Sequence, residues 1–154
     1  MSISILIVDD HEMIRMLLRR HLKAEADFLV VGEAEDGREG VAQAEALLPD
    51  VVLMDVAMPG MDGIEATRLI HERLPQVKVL ILTLYASSEN SLRAMQSGAR
   101  GYILKDSVAE EVATAIRTIM KGDHYFGAGV RNPLESAAAI TADRSVSPDS
   151  GDTL

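Results

Sequence analysis

Cysteine is absent from the 154 residues, which removes disulfide scaffolds, thiolate zinc sites, cysteine nucleophiles and any thiol redox role. Tryptophan is absent too, and three Tyr with two Phe are too few for a base-stacking platform. Positive charge is scarce: 15 Lys and Arg stand against 24 Asp and Glu, a formal net charge of −9. A chain that lives on phosphate backbones needs basic side chains to displace counterions, so nucleic acid is not expected to bind this chain itself. Apolar runs are short; residues 79–82 are representative, against the roughly 20 needed to cross a bilayer. No basic stretch precedes the acids at positions 9 and 10, so a secretory signal is not expected. The expectation is a cytoplasmic protein with no membrane association. What is present is ordinary globular composition, 47% hydrophobic and 25% charged, with length for about one domain.

Five short runs rich in Val, Ile and Leu recur at residues 3–8, 28–33, 51–54, 78–82 and 101–104. The middle ones are continuously apolar, as strands covered on both faces are. Segments with helical spacing separate them. Ile14, Leu17, Leu18 and Leu22 form one apolar face, with Arg15, Arg19, Arg20 and Lys23 expected on a solvated one. Amphipathic patterns also occupy about residues 37–48, 63–74, 88–97 and 107–121. Pro49 and Pro75 stop two of them, Ser97-Gly98 reads as a C-cap, Asp62-Gly63 as a helix entry, and Asp106-Ser107 can start the last helix. Strand and helix alternating five times predicts an α/β domain with a parallel sheet and right-handed crossovers.

In open α/β sheets, ligands bind beyond the carboxyl ends of the strands. Asp9, Asp10 and His11 follow the first strand, Asp55 the third, Thr83 ends the fourth, and Lys105 follows the fifth. Carboxylates held together repel unless a cation neutralises them, and Mg2+ suits one or two carboxylates, water and phosphate oxygen. With an ammonium and a hydroxyl beside them, they compose a phosphoryl-transfer site whose nucleophile is a carboxylate. Any one of these residues could be an ordinary cap or surface group. Four strand ends converging on one chemistry outweigh that reading of any single position.

These residues carry a resemblance to the receiver domain of bacterial two-component response regulators, over about residues 3–122. The motifs are Ile5-Leu6-Ile7-Val8-Asp9-Asp10-His11, Val52-Leu53-Met54-Asp55-Val56-Ala57-Met58-Pro59-Gly60-Met61-Asp62-Gly63, Leu82-Thr83 and Gly101-Tyr102-Ile103-Leu104-Lys105-Asp106. His11 with Arg15, Thr83-Leu84-Tyr85, Ser97-Gly98-Ala99-Arg100 and Lys105-Asp106-Ser107 are similar to the LuxR/NarL/FixJ-type branch, whose output is a helix-turn-helix domain. The resemblance implies a (βα)5 doubly wound, flavodoxin-like fold with strand order 2-1-3-4-5. It implies that Asp55 accepts a phosphoryl group from a sensor histidine kinase or phosphotransfer protein. Mg2+ would be held by Asp10, Asp55 and the backbone carbonyl of Ala57, and through water by Asp9. Lys105 would pair with the phosphoryl group, Thr83 would move to hydrogen-bond it, and Tyr102 would be the switch aromatic that turns inward when Thr83 moves. A homodimer is compatible with that role.

Two departures stand out. Asp106 follows Lys105 where many receivers have Pro, so a cis peptide is not assumed there. Leu84 occupies a position often held by a small residue, and with Tyr85 it is expected to restrict water and slow hydrolysis of the acyl phosphate. A zinc site at His11 is not expected, since His21, His71 and His124 lie at no ligand spacing. His11 is expected to pack or hydrogen-bond at the start of the first helix, and Met54, Met58 and Met61 to fill space around Asp55.

The competing classes are weaker. Aspartyl-phosphate phosphatases of the haloacid dehalogenase type place an acid/base Asp two residues after the nucleophile, where this chain has Ala57. Dinucleotide or flavin binding needs a phosphate-cradling glycine loop after the first strand, where this chain has Asp9-Asp10. The protein is therefore expected to be a signalling switch, not an enzyme, with only self-dephosphorylation as chemistry. Residues 1–126 are assigned to the receiver and 127–154 to a linker or disordered tail with a short helix at about 134–140. That tail falls short of the roughly 60 residues of an output domain. The expectation is the receiver part of a DNA-binding transcriptional regulator, with a stand-alone receiver acting through protein contacts as the alternative.

Overall fold

A strand covered on both faces sends alternate side chains into two different layers, and the sequence of β1 is apolar in both registers. In the computed structural model, which describes residues 2–85, 87–130, 132 and 133, Ile5 and Ile7 point to one layer while Leu6 and Val8 point to the other. Among these residues the chain runs β1 (Ile3–Val8), α1 (Glu12–Lys23), β2 (Phe28–Ala34), α2 (Gly37–Leu47), β3 (Val51–Asp55), α3 (Gly63–Arg73) and β4 (Lys78–Thr83). It continues through α4 (Ser88–Gln96), β5 (Gly101–Leu104), a 3-10 turn at Lys105–Ser107, α5 (Val108–Met120) and β6 (Tyr125–Phe126). The sheet is parallel, in the order β2-β1-β3-β4-β5-β6.

Leu18 and Leu22 of α1, with Val112, Ala115, Ile116 and Ile119 of α5, pack against Ile5, Ile7, Leu53 and Leu82 on one face. Val41 and Ala44 of α2, Ile64 and Ile70 of α3 and Ala94 of α4 pack against Leu6, Val52, Met54 and Ile81 on the other. Helix entries follow local chemistry. Asp36 and Asp62 accept hydrogen bonds from the Glu39 and Glu65 amides at 2.8 and 2.9 Å, and Ser87 accepts from Asn90 at 3.2 Å. Gly98 ends α4 at φ +104°, and a β-carbon there would stand 2.3 Å from the His71 ring, so two independent constraints require glycine.

The five-strand order 2-1-3-4-5 is present, and β6 adds a sixth strand that the pattern did not indicate. Two residues carry no readable period, and their pairing is a tertiary event: the Tyr125 amide donates to Arg100 O at 3.1 Å and the Gly127 amide to Tyr102 O at 3.0 Å. Glu111 of α5 holds this segment, accepting from the Tyr125 hydroxyl at 2.8 Å and the Ala128 amide at 2.9 Å. No cis peptide occurs among the described residues. The helix expected near residues 134–140, and most of the tail expected at 127–154, lie outside the described residues. No helix among the described residues is long and apolar enough to cross a membrane.

Candidate functional site

The carboxyl ends of β1 and β3 are neighbours in the sheet, so their terminal acids converge by topology alone. Asp9 is fully buried and Asp55 is 3% exposed. Lys105, delivered by the turn after β5, reaches between them, with Nζ 2.7 Å from Asp9 Oδ2 and 3.1 Å from Asp55 Oδ1. Asp55 Oδ2 is buried with no hydrogen-bond partner. Burial, then repulsion from Asp9, pushes the Asp55 carboxyl up to about 6, with Lys105 pulling the other way and Asp10 adding to the rise. Asp9, Asp10, His11 and Asp55 each offer a ligand atom within 4.8 Å of the others. This mostly oxygen donor set, with one unpaired carboxylate oxygen inside it, fits a hard divalent cation. Ala57 lies two residues beyond Asp55, in the loop leading to α3.

Gly63 shows how tightly the loop around Asp55 is built. A β-carbon at Gly63 would fall 1.9 Å from the Asp55 carbonyl oxygen, and the Gly63 amide donates to Val56 O at 2.9 Å. Met54 and Met58 are buried and Met61 packs against the same core, as filler around the acid.

Arg15 corrects the sequence reading. It does not share the solvated face of Arg19, Arg20 and Lys23; it is 8% exposed. Its Nη1 donates to the Asp9 carbonyl at 2.7 Å and its Nε to Glu33 at 3.1 Å. Helical position alone cannot reveal this, because Glu33 arrives from β2. Met13, Met16 and Leu17 are instead exposed. His11 forms the entry to α1, where its amide donates to Asp9 Oδ1 at 2.8 Å. Its Nδ1 lies 3.2 Å from Asp9 Oδ1 and 3.0 Å from Asp10 Oδ1, so the ring stands against the acid cluster.

Thr83 ends β4 at the same edge, but its hydroxyl donates to Tyr85 O at 3.2 Å. Tyr102 is already fully buried among the side chains of the α2–α4 layer. Its hydroxyl makes no hydrogen bond of ordinary geometry. Burial raises the Tyr102 hydroxyl above its usual range, and nearby Thr83 partly offsets this. Leu84 and Tyr85 are exposed, at 52% and 80%.

A parallel α/β sheet that gathers acids and a lysine at its carboxyl edge defines a class of doubly wound domains whose strand ends can hold a cation. The pattern of the response regulator receiver domain matches residues 5–117, and the chain belongs to that family. The response regulator protein VraR of Staphylococcus aureus is 44% identical over 144 residues, which are 91% of this chain and 69% of that protein. A LuxR-family two-component response regulator from Aurantimonas superposes with a TM-score of 0.83 at 33% identity, over 90% of this chain and 99% of that one. The receiver domain of a NarL regulator from Mycobacterium tuberculosis gives 0.75 at 34% identity, over 79% and 98%. These relatives place the chain in the LuxR/NarL-type branch of phosphorylation-dependent regulators.

Proposed function

We propose that Asp55 is the phosphoacceptor. The observation that carries this reading is the asymmetry of its carboxylate: Oδ1 is paired with Lys105 while Oδ2 is buried and unpaired. In transfer from a phosphohistidine, the P–N bond of the donor breaks as a P–O bond to an Asp55 carboxylate oxygen forms. Lys105, already between Asp9 and Asp55, then pairs with the phosphoryl oxygens. Asp10, Asp55 and the Ala57 carbonyl would hold Mg2+, with Asp9 acting through water. Bound there, the ion would neutralise phosphoryl charge during transfer. Thr83 would exchange its bond to Tyr85 O for one to the phosphoryl group, which ties Tyr85 to the chemistry. Tyr102 lies inward in this structure, so phosphorylation would stabilise an accessible arrangement rather than create one.

The only turnover in this reading is hydrolysis of the protein's own acyl phosphate. Ala57 supplies no acid/base group for exogenous phosphate esters. The donor would be a histidine kinase or phosphotransfer protein. The output would be transcriptional, through a DNA-binding domain of the LuxR type, with residues 1–126 as the receiver and those after it as a connection. The kinship with VraR and with the LuxR-family structure supports that output. Incubation with a small acyl-phosphate donor and Mg2+, followed by mass spectrometry, tests the acceptor. The wild type is expected to gain one phosphoryl group that Asp55→Asn does not; equal modification of both overturns the assignment.

A further inference from the structure

Consecutive side chains point in directions set by the rigid peptide between them, so the plane of the peptide joining Asp9 to Asp10 helps decide where both carboxylates lie. The carbonyl of that peptide accepts from Arg15 Nη1 at 2.7 Å, a buried hydrogen bond from a charged donor. On the other side of the residue, the Asp9 amide donates to Ala34 O at 3.1 Å. Arg15 is itself braced. Its Nε donates to Glu33 Oε1 at 3.1 Å, while Arg19 pairs with the other oxygen of Glu33. Glu33 and Ala34 are consecutive on β2, so that strand holds Asp9 directly through one residue and, by way of Arg15, through the other. The Arg15 amide also donates to His11 O at 3.1 Å, which closes the turn between β1 and α1.

We infer that Arg15 is a positioning residue for the cation and phosphoryl site, acting through the Asp9 carbonyl to fix the Asp9–Asp10 peptide. The inference rests on the reading that Asp10 and Asp55 hold a cation. Oxygens of Asp9, Asp10 and Asp55 already lie within 4.8 Å of one another, and a turn held in that arrangement does not have to be ordered when the ion arrives. Any such ordering would be subtracted from affinity. Charge alone does not account for the contacts. A guanidinium presents its donors at fixed angles in one plane, and Arg15 uses two of them in two directions; a Lys ammonium brings the same charge on a flexible stem without that fork. The Arg15 side chain is 10% exposed, so packing keeps the fork where it is.

Titration calorimetry of the whole chain with Mg2+ separates positioning from general support of the fold. Arg15→Met is expected to bind Mg2+ about tenfold more weakly, the lower end of what loss of an outer-shell partner costs. Arg15→Lys keeps the charge without the fork and is expected to fall with Arg15→Met; it also carries the test should Arg15→Met fail to fold by far-UV circular dichroism. Leu22→Ala is the control, because Leu22 is 1% exposed in the last turn of α1 and its truncation destabilises the fold without touching Asp9. Its Mg2+ affinity should stay within about twofold of the wild type, as for independent sites. The carbonyl 13C resonance of Asp9 moves upfield when a hydrogen bond to it is lost, and is expected to do so in both Arg15 variants but not in Leu22→Ala. If Arg15→Lys binds Mg2+ as the wild type does, or if Leu22→Ala loses as much affinity as the Arg15 variants, the positioning role is refuted while the cation site stands. If the wild type does not bind Mg2+, the underlying cation reading falls and this inference falls with it.

Discussion

Removing the negative charge of Asp55 should stabilise the cation-free fold. The Asp55 carboxyl is raised from 3.8 to about 6, chiefly by burial and by Asp9. A rise of about 2 units corresponds to about 3 kcal/mol of unfavourable ionisation at pH 7.5. Asp55 is 3% exposed, so solvent screening removes little of this, and the opposing pull of Lys105 is already contained in the net rise. Asp55→Asn keeps the shape and removes the charge, and Lys105 retains Asp9 at 2.7 Å. Between pH about 4 and 6 the folded chain keeps a proton that the unfolded chain has released. The Asp55 contribution to stability therefore falls as pH rises through that window, and the variant lacks this slope. In urea unfolding with a chelator present, Asp55→Asn is expected to exceed the wild type by up to about 3 kcal/mol at pH 7.5 and to converge with it below pH about 4. Saturating Mg2+ should narrow the gap, since a ligand at 100 times its Kd adds about 2.7 kcal/mol to the form that binds it. A variant less stable than the wild type across pH 4–8, or a difference independent of pH, refutes the reasoning.

Gly63→Ala places a methyl group 1.9 Å from the Asp55 carbonyl oxygen; the loop must move, with an expected loss of about 1–3 kcal/mol and weaker Mg2+ binding by calorimetry, and unchanged binding would show that the loop yields freely. Glu111→Gln weakens the anchor of β6, and amide exchange at Gly127 and Ala128 is expected to quicken roughly tenfold, equivalent to a hydrogen bond of about 1.4 kcal/mol. Tyr125, pushed up to about 12 by burial and by Glu111, should titrate lower in the same variant, as followed by tyrosine NMR. Leu84→Ala should shorten the acyl-phosphate lifetime if the Leu84 side chain limits water at the site; an unchanged or longer lifetime removes that role.

Much of the site was legible because strand ends are legible. Asp9, Asp55, Thr83 and Lys105 each follow an apolar run, and a parallel sheet brings such ends to one edge. Two features were hidden. Arg15 looks like part of a basic helix face until β2 brings Glu33 to it. Tyr125 and Phe126 form a strand only because Glu111 and the free edge of β5 receive them.

The sequence by itself determined the order and type of the elements, since apolar period, capping side chains and glycine or proline breaks act over a few neighbouring residues. It also determined which chemical groups were available, and the zero cysteines and acidic excess narrowed the function before any fold was known. Tertiary structure decided which groups meet: one Asp55 oxygen paired and the other not, an arginine buried beneath Asp9, a tyrosine already turned inward. Those outcomes depend on distances between residues tens of positions apart, and burial then sets the cost of each charge. Local pattern contains neither quantity.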